Sequence, residues 1–491
     1  MTSCNNCGRA RRGMTLAALF ASLASAAIAM TDEEKIAAMA AVRPAPRQAE
    51  WQALELTAFF HFGMNTFTGK EWGDGKTPAA VFNPTDLDCE EWVKAVKDSG
   101  FKLAILVAKH HDGFCLWPSK YTDYSVKNSP WKGGKGDVVK EFTAACRKHG
   151  IRAGIYLSPW DRHEASYGSD DYNVYFLNQL KELGTNYGRI DEFWFDGACG
   201  EGPNGKKQSY AWNAYYALIR EMQPQAVIAV SGPDVRWVGN EGGMARESEW
   251  SVVPTRGDAN ANDNDAIRKA FENYHFEGVD PAKMADIVKP AFDGRSKDLG
   301  SRAQSLKSEA WAWAPAECDT SIRPGWFYHS EQDGQVKSLE KLKTIYYSSV
   351  GRNAVLLLNV PPDRRGRIAK PDLDRLAEFG AFVKNTFAKP VAPKAKPVKK
   401  NGFFGLDLGA ERTFDVIMAG EDIAKGGQVV ERFHVEAKIG GKWETIATST
   451  TIGWKRLVKL PAPVTARALK LVVDESRAEP VIRVFNVFKE R

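Results

Sequence analysis

The chain has 491 residues, 43% hydrophobic and 26% charged. That balance excludes a disordered segment or a coiled coil, and the length allows more than one domain with a full core and no disulfide staples. The formal net charge is +6. However, Arg9, Arg11 and Arg12 lie in an N-terminal segment expected to be removed, and Lys389, Lys394, Lys396, Lys399 and Lys400 crowd one short linker. The remainder is close to neutral and carries no electrostatic footprint for nucleic acid.

Met14–Met30 (MTLAALFASLASAAIAM) is almost purely apolar, follows arginines and contains the small-residue cleavage signal Ala27-Ile28-Ala29. This is the pattern of a secretory signal peptide over 1–29. It predicts an exported protein, periplasmic or extracellular, with no membrane attachment once the signal is gone. Arg11-Arg12 hints at twin-arginine export. No other run is long enough to span a bilayer. Of seven cysteines, Cys4 and Cys7 leave with the signal. The other five (Cys89, Cys115, Cys146, Cys199 and Cys318) are odd in number and irregular in spacing, so neither a disulfide framework nor a zinc site is read, and most are expected to be buried.

From Arg43 to Phe387 short apolar runs alternate with amphipathic stretches. Strands are predicted at Leu56–Phe62, Leu103–Ala108, Arg152–Leu157, Glu192–Phe195, Ala226–Val230, Trp311–Pro315 and Ala354–Val360. Helices are predicted at Cys89–Ser99, Asp137–His149 (stopped by Gly150), Tyr172–Tyr187 and Tyr210–Met222. Such alternation implies parallel β/α units in a number that fits a (β/α)8-like TIM barrel, a catalytic domain over 43–387. Polar and aromatic residues follow successive strands: Lys109-His110-His111-Asp112, Ser158-Pro159-Trp160-Asp161, Asp196-Gly197 and Gly232-Pro233-Asp234. That is the pattern of a barrel's active-site face. Residues 388–400 read as a linker, stiffened by proline and extended by lysine repulsion. Beyond it, period-two alternation at Val429–Ile439, Trp443–Ala447, Leu457–Leu460 and Leu469–Val473 predicts an antiparallel β-sandwich over 401–491.

Asp196, in IDEFWFDGAC, closes a buried apolar strand, a costly place for a carboxyl without a partner or a task. Glu241, in PDVRWVGNEGG, sits on a glycine-rich loop after the fifth strand, with Asp234, Glu247 and Glu249 as nearby competitors. Two carboxyls on neighbouring strand ends suit glycoside hydrolysis. His61, His110 and His111 each follow a strand. They fit hydrogen bonding to sugar hydroxyls or, with Asp112 or with His163 and Glu164, metal ligation, for which no H-x-x-x-H or H-E-x-x-H spacing exists. Thirteen of the 15 tryptophans fall between Trp51 and Trp326, as a sugar-stacking site favours. Trp72 and Trp326 lie in turn-rich surroundings, and Trp194 flanks Asp196.

The segments FFHFGMNTFTGKEWGDG, KHHDGFCLWPSKYTDYSV, GIYLSPWDRHE, IDEFWFDGA, PDVRWVGNE, WAPAECDTSIRPGWFYH and LLLNVPPDRRGRI together resemble the α-L-fucosidases of glycoside hydrolase family 29. The resemblance implies a retaining exo-hydrolase of terminal α-L-fucose on oligosaccharides or glycoproteins, with no cofactor and no metal. By it, Asp196 is the nucleophile, and His61, Glu71, Trp72, His110, His111, Tyr156 and Arg236 are substrate-binding. The forms WVGNE and RPGWFYH resemble the branch acting on α-1,3/1,4-linked fucose of branched glycans, which makes Glu241 the acid/base and sets Trp326 against the fucose methyl. The C-terminal segment is similar to galactose-binding-like modules. Arg236 and the histidines are expected to favour charge on Asp196, and partial burial to raise the pKa of Glu241. Glu247 or Glu317 stand next in line for the acid role. The rival readings are a retaining glycosidase for another sugar such as α-galactose, a catalytically inactive glycan-binding protein, and a metal-dependent hydrolase.

Overall fold

The computed structural model describes residues 30–255 and 292–491. The predicted signal peptide lies outside the described residues. Six strands come first: β1 (Leu56–Phe60), β2 (Leu103–Lys109), β3 (Arg152–Leu157), β4 (Glu192–Phe195), β5 (Val227–Val230) and β6 (Arg236–Trp237). A two-stranded antiparallel pair, β7 (Val252–Thr255) with β8 (Ala310–Trp313), follows. β9 (Ala316–Ser321) and β10 (Val355–Asn359) complete an eight-stranded sheet of order β5-β4-β3-β2-β1-β10-β9-β6. Every pairing in it is parallel. A parallel bridge between Ala229 and Val235 brings β5 beside the β6 end, so the sheet nearly closes into the expected TIM-like barrel.

Side-chain alternation sorts the strand residues into two cores. Ala58, Phe60, Leu106, Ile155 and Phe193 face outward against Trp92, Phe142 and Phe176 of the surrounding helices. Phe59, Ile105, Tyr156, Trp194 and Leu357 face the barrel axis. Helices Cys89–Asp98 and Val138–His149 start where Asp88 and Asp137 accept backbone N–H groups of Glu91 and Lys140, and the second ends at Gly150 in the left-handed conformation. Asp170–Asn186 and Trp212–Met222 fill the next two crossovers.

The barrel departs from the expected pattern at three strands. Trp311–Pro315 was expected as a strand of the parallel series; Ala310–Trp313 instead pairs antiparallel with β7. The barrel position belongs to β9, whose sequence AECDTS has too few apolar residues to register as a buried strand. β6 is only two residues long, and no helix separates it from β5. The chain reverses there through Gly232, where a Cβ would lie 2.4 Å from the carbonyl oxygen of Ile228.

β9 is polar because its side chains serve the interior. Glu317 is fully buried and faces Glu192 of β4. The Trp194 indole donates to Glu317 (2.7 Å) and the Trp51 indole to Glu192 (2.8 Å). The remaining oxygen of each has no N–H donor around it, and the two carboxyls face each other there. Burial pushes Glu192 up to about 8 and Glu317 well above the carboxylate range.

The C-terminal domain is antiparallel: β11 (Val398–Lys400), β12 (Phe403–Glu421), β13 (Val430–Ile439), β14 (Lys442–Ser449), β15 (Arg456–Ser476) and β16 (Ile482–Phe488). β12 and β15 are long and shift register between Asp407 and Arg412 and again between Phe414 and Val416. Both halves of each strand contribute to one core, with Leu406 and Leu471 from one end and Ile417, Phe485 and Val487 from the other. The 388–400 segment is not a free spacer. Val391 donates its N–H to Val487, and Val398–Lys400 pairs with Phe403–Gly405 as an edge strand. Val391, Ala392 and Ala395 supply apolar contacts that a purely charged linker would lack.

The two domains share polar contacts. Asn353 donates to the carbonyl of Glu249 and accepts from Trp454, and Gln428 donates to the same carbonyl. Arg352 and Arg456 both pair with Glu247.

The buried dyad makes a testable statement about stability. A folded state that holds a proton its unfolded chain releases loses stability as pH rises. Stability is therefore expected to fall between the ordinary glutamate value of 4.5 and about 8. Urea midpoints at pH 5, 6.5 and 8 check this. The double variant E192Q/E317Q, with nothing left to titrate there, is expected to show a shallower decline.

Candidate active site

The C-terminal ends of the barrel strands open into a cavity of about 830 Å³. His61 follows β1, His110 and His111 follow β2, Tyr156 lies on β3, Trp194 on β4 with Asp196 just beyond it, and Arg236 on β6. All of these line the cavity together with Trp72, Glu241 and Trp326. Ten of the eleven predicted site residues thus meet in one place.

Glu71 is the exception. It is absent from the cavity wall, and its carboxylate accepts the backbone N–H of Trp326 (2.8 Å) and contacts His329 Nε2 (3.0 Å). Its place is under the Trp326 loop, where it holds the turn. Gly325 leaves room for it: a Cβ there would come within 2.4 Å of that carboxylate and push it aside.

Asp196 is held from two sides. Its Oδ2 accepts the Tyr156 hydroxyl (3.0 Å) and its Oδ1 the backbone N–H of Ala198 (2.7 Å). Burial, with the Asp196 charge nearby, pushes the Tyr156 phenol well up, so it stays a donor. The expected source of charge stabilisation, Arg236 with the histidines, is not what surrounds this carboxylate. Burial holds His61 down to about 3, His110 well below the usual imidazole range, and His111 low despite the neighbouring Asp196 charge. All three are neutral at pH 7 and bring no positive charge. Arg236 spends its guanidinium on the carbonyls of Ala314 and Trp250 and on the buried carboxylate of Glu249. Its Nη1 is buried without a partner among the described residues. Such a donor next to a cavity is a natural place for a ligand oxygen.

Glu241 is exposed on its loop and accepts the Trp326 indole N–H (3.2 Å). The free protein therefore lacks the partial burial expected around this carboxyl. The loop itself is tied to β9: Val238 donates to the carbonyl of Glu317 and Gly243 to that of Asp319. The competing carboxyls are occupied elsewhere and none lines the cavity. Asp234 is buried between Arg47 and Arg220, the exposed Glu247 pairs with Arg352 and Arg456, Glu249 is buried beside Arg236 and Arg246, and Glu317 lies in the dyad.

Aromatic rings build the walls. Trp194 stacks on Tyr156 (centroids 5.2 Å apart, 21° between planes), and Trp326 lies against His61 (5.0 Å). Trp72, 55% exposed, meets His111 and Trp160 edge-on. Val230, β-branched yet at φ 63°, lines the cavity too, a strained backbone of the kind that clusters at functional sites.

Reading the sequence missed Trp212, Asn213, Tyr216, Trp237, Phe292–Arg295 and Asp319, all on the cavity wall. Asp319 accepts the Trp237 indole (2.7 Å) and is pushed well up by burial. Its signal was the polar alternation of β9. His163 and Asp112 lie away from the cavity wall: His163 contacts the Gly75 carbonyl and stacks on Tyr124, and Asp112 accepts the N–H of Phe114. Among the described residues no three His, Cys, Asp or Glu side chains converge as metal ligands. Cys199 is exposed and the other four described cysteines are buried.

Residues 38–386 match the sequence model of the family described as Alpha-L-fucosidase. The chain belongs to the α-L-fucosidase family. Alpha-L-fucosidase 1 of Arabidopsis thaliana is 40% identical to it over 483 residues, covering 91% of this chain and 88% of the plant protein. A candidate α-L-fucosidase from Bacteroides ovatus is 46% identical in its crystal structure (TM-score 0.85, 94% of this chain and 77% of that one). A glycoside hydrolase 29 family member from an unknown rumen bacterium is 39% identical (TM-score 0.77, 92% and 78%). As a glycoside hydrolase of this family, the protein has fucosylated glycans as its substrate class, which favours fucose over the α-galactose alternative.

The Tyr156 bond to Asp196 predicts a kinetic signature. Tyr156→Phe removes a hydrogen bond to a charged group and is expected to lower kcat roughly 10- to 100-fold. Turnover of an aryl fucoside by the variant and the parent enzyme measures the loss.

Proposed function

We propose that the protein is an exported, retaining exo-α-L-fucosidase that removes terminal α-1,3/1,4-linked fucose from branched glycans. One observation carries the reading. Asp196 is fixed on the cavity floor by Tyr156 and Ala198, Glu241 stands on a loop lining the same cavity, and Asp234, Glu247 and Glu249 are ion-paired away from it.

In the first half-reaction Asp196 Oδ attacks the anomeric carbon as the glycosidic C–O bond breaks, and Glu241 gives its proton to the departing oxygen. The product is a fucosyl ester of Asp196. In the second, Glu241 takes a proton from water, whose oxygen displaces the ester, restoring both carboxyls and releasing fucose with its configuration kept. Glu241 has to start protonated. A glycan leaving group seated over the exposed loop would exclude water and so favour the neutral, proton-carrying carboxyl. The carboxyls would then lie ~5–5.5 Å apart, as retention requires. Trp237, Asp319 and Phe292–Arg295, which line the same cavity, form a wall against which a branched leaving group would sit. The apolar stretch before Ala29 supports export.

Asp196→Gly is expected to lose several orders of magnitude in turnover, partly rescued by azide as a β-fucosyl azide. Glu241→Ala is expected to cost natural glycans far more than aryl fucosides, whose leaving groups need little protonation. Trapping with a 2-fluoro fucoside and peptide mass spectrometry should place the label on Asp196; a label elsewhere, or inverted product, refutes the mechanism. Faster release from Lewis-type trisaccharides than from 2′-fucosylated ones checks the linkage.

A further inference from the structure

A neutral imidazole carries one ring hydrogen, so the partner at one nitrogen decides what the other can offer a ligand. In all three cavity histidines Nδ1 faces a partner whose own role is fixed by its remaining bonds. Nδ1 of His61 lies 2.9 Å from Oδ1 of Asn359. That amide is oriented by its Nδ2, which donates to Ser321 Oγ and to the carbonyl of Trp326. Oδ1 can only accept, so the His61 hydrogen is on Nδ1 and Nε2 is a bare lone pair. Nδ1 of His111 lies 2.8 Å from Ser158 Oγ, whose single hydrogen goes to the Trp160 carbonyl at 2.6 Å. His111 must therefore donate through Nδ1, and its bare Nε2 stands 3.7 Å from Oδ2 of Asp196. His110 is reversed. Its Nδ1 lies 3.3 Å from Nδ2 of Asn65, an amide oriented by donation to the carbonyl of Glu71. An amide nitrogen only donates, so His110 accepts at Nδ1 and carries its hydrogen on Nε2.

We infer that Asn359, Asn65 and Ser158 are positioning residues that lock the cavity histidines into an acceptor–donor–acceptor pattern at Nε2 of His61, His110 and His111. Burial of the three rings keeps a second hydrogen off each. A bound sugar must then give hydroxyl hydrogens to His61 and His111 and accept one from His110. No N–H of His111 points at Asp196, so that side of the carboxylate stays free to attack. This last consequence rests on the proposed role of Asp196; the tautomer pattern does not.

Long-range ¹H–¹⁵N correlation of the histidine-labelled, unliganded protein at pH 7 tests the pattern directly, with peaks assigned through H61Q, H110Q and H111Q. The expected result is the Nδ1–H form for His61 and His111 and the Nε2–H form for His110. An Nε2–H form at His61 or His111, an Nδ1–H form at His110, or an imidazolium at any of them overturns the inference. In Ser158→Ala, His111 loses its acceptor and is expected to switch to the Nε2–H form. Its new N–H should bond Asp196, lowering kcat about tenfold with a smaller change in KM. Ser158→Thr keeps the oxygen and is expected to restore both tautomer and rate. No tautomer change in Ser158→Ala refutes the positioning role. A tautomer change with kcat untouched upholds that role and counts instead against Asp196 as the attacking group.

Discussion

A carboxylate at the end of a buried strand has to be solvated by the protein, and here the Tyr156 hydroxyl and the Ala198 N–H do that for Asp196. The chain supplies these dipoles instead of a positive charge. Arg236 is already committed to Glu249, and the three histidines are too deeply buried to protonate. The result is a floor of oriented, neutral groups around one charge. Such a floor holds its geometry through a charge-transferring reaction better than mobile counter-ions would.

The same constraint explains the polar layers beneath and beside the site. Trp194, which stacks under Tyr156, is itself held by its indole N–H on Glu317, a carboxyl that burial keeps protonated and so uncharged inside the barrel. Arg236 is fixed by Glu249, whose carbonyl is gripped by Asn353 and by Gln428 of the segment leading into β13. The C-terminal domain thus reaches the cavity wall through a short chain of hydrogen bonds. It braces the segment that follows the Glu241 loop without lining the cavity itself.

Much of the architecture was legible in the residues. The apolar runs of β1 to β5 and β10 are buried on both faces, so they stand out as parallel strands, and the polar clusters after them mark the open face of the barrel. Asp196 announced itself as a carboxyl ending such a run, and the grouping of His61, His110, His111, Tyr156, Trp194 and Trp326 followed from the segments shared with the family. β9 and β6 were not legible. One carries Glu, Asp, Thr and Ser into the barrel interior and the other is two residues long, so neither has a hydrophobic period to read.

What tertiary structure alone decided is which partner each polar group meets. Nothing in KEWGDG says that Glu71 turns away from the cavity to hold the Trp326 backbone, because Trp326 lies 255 residues further on. Nothing in VRWVG says that Arg236 is paired with Glu249 rather than with Asp196. Residue type and strand position follow from local pattern, since burial and alternation are properties of neighbours in the chain. Charge state, tautomer and hydrogen-bond direction depend on groups brought together from distant strands, and only the closed barrel sets those distances.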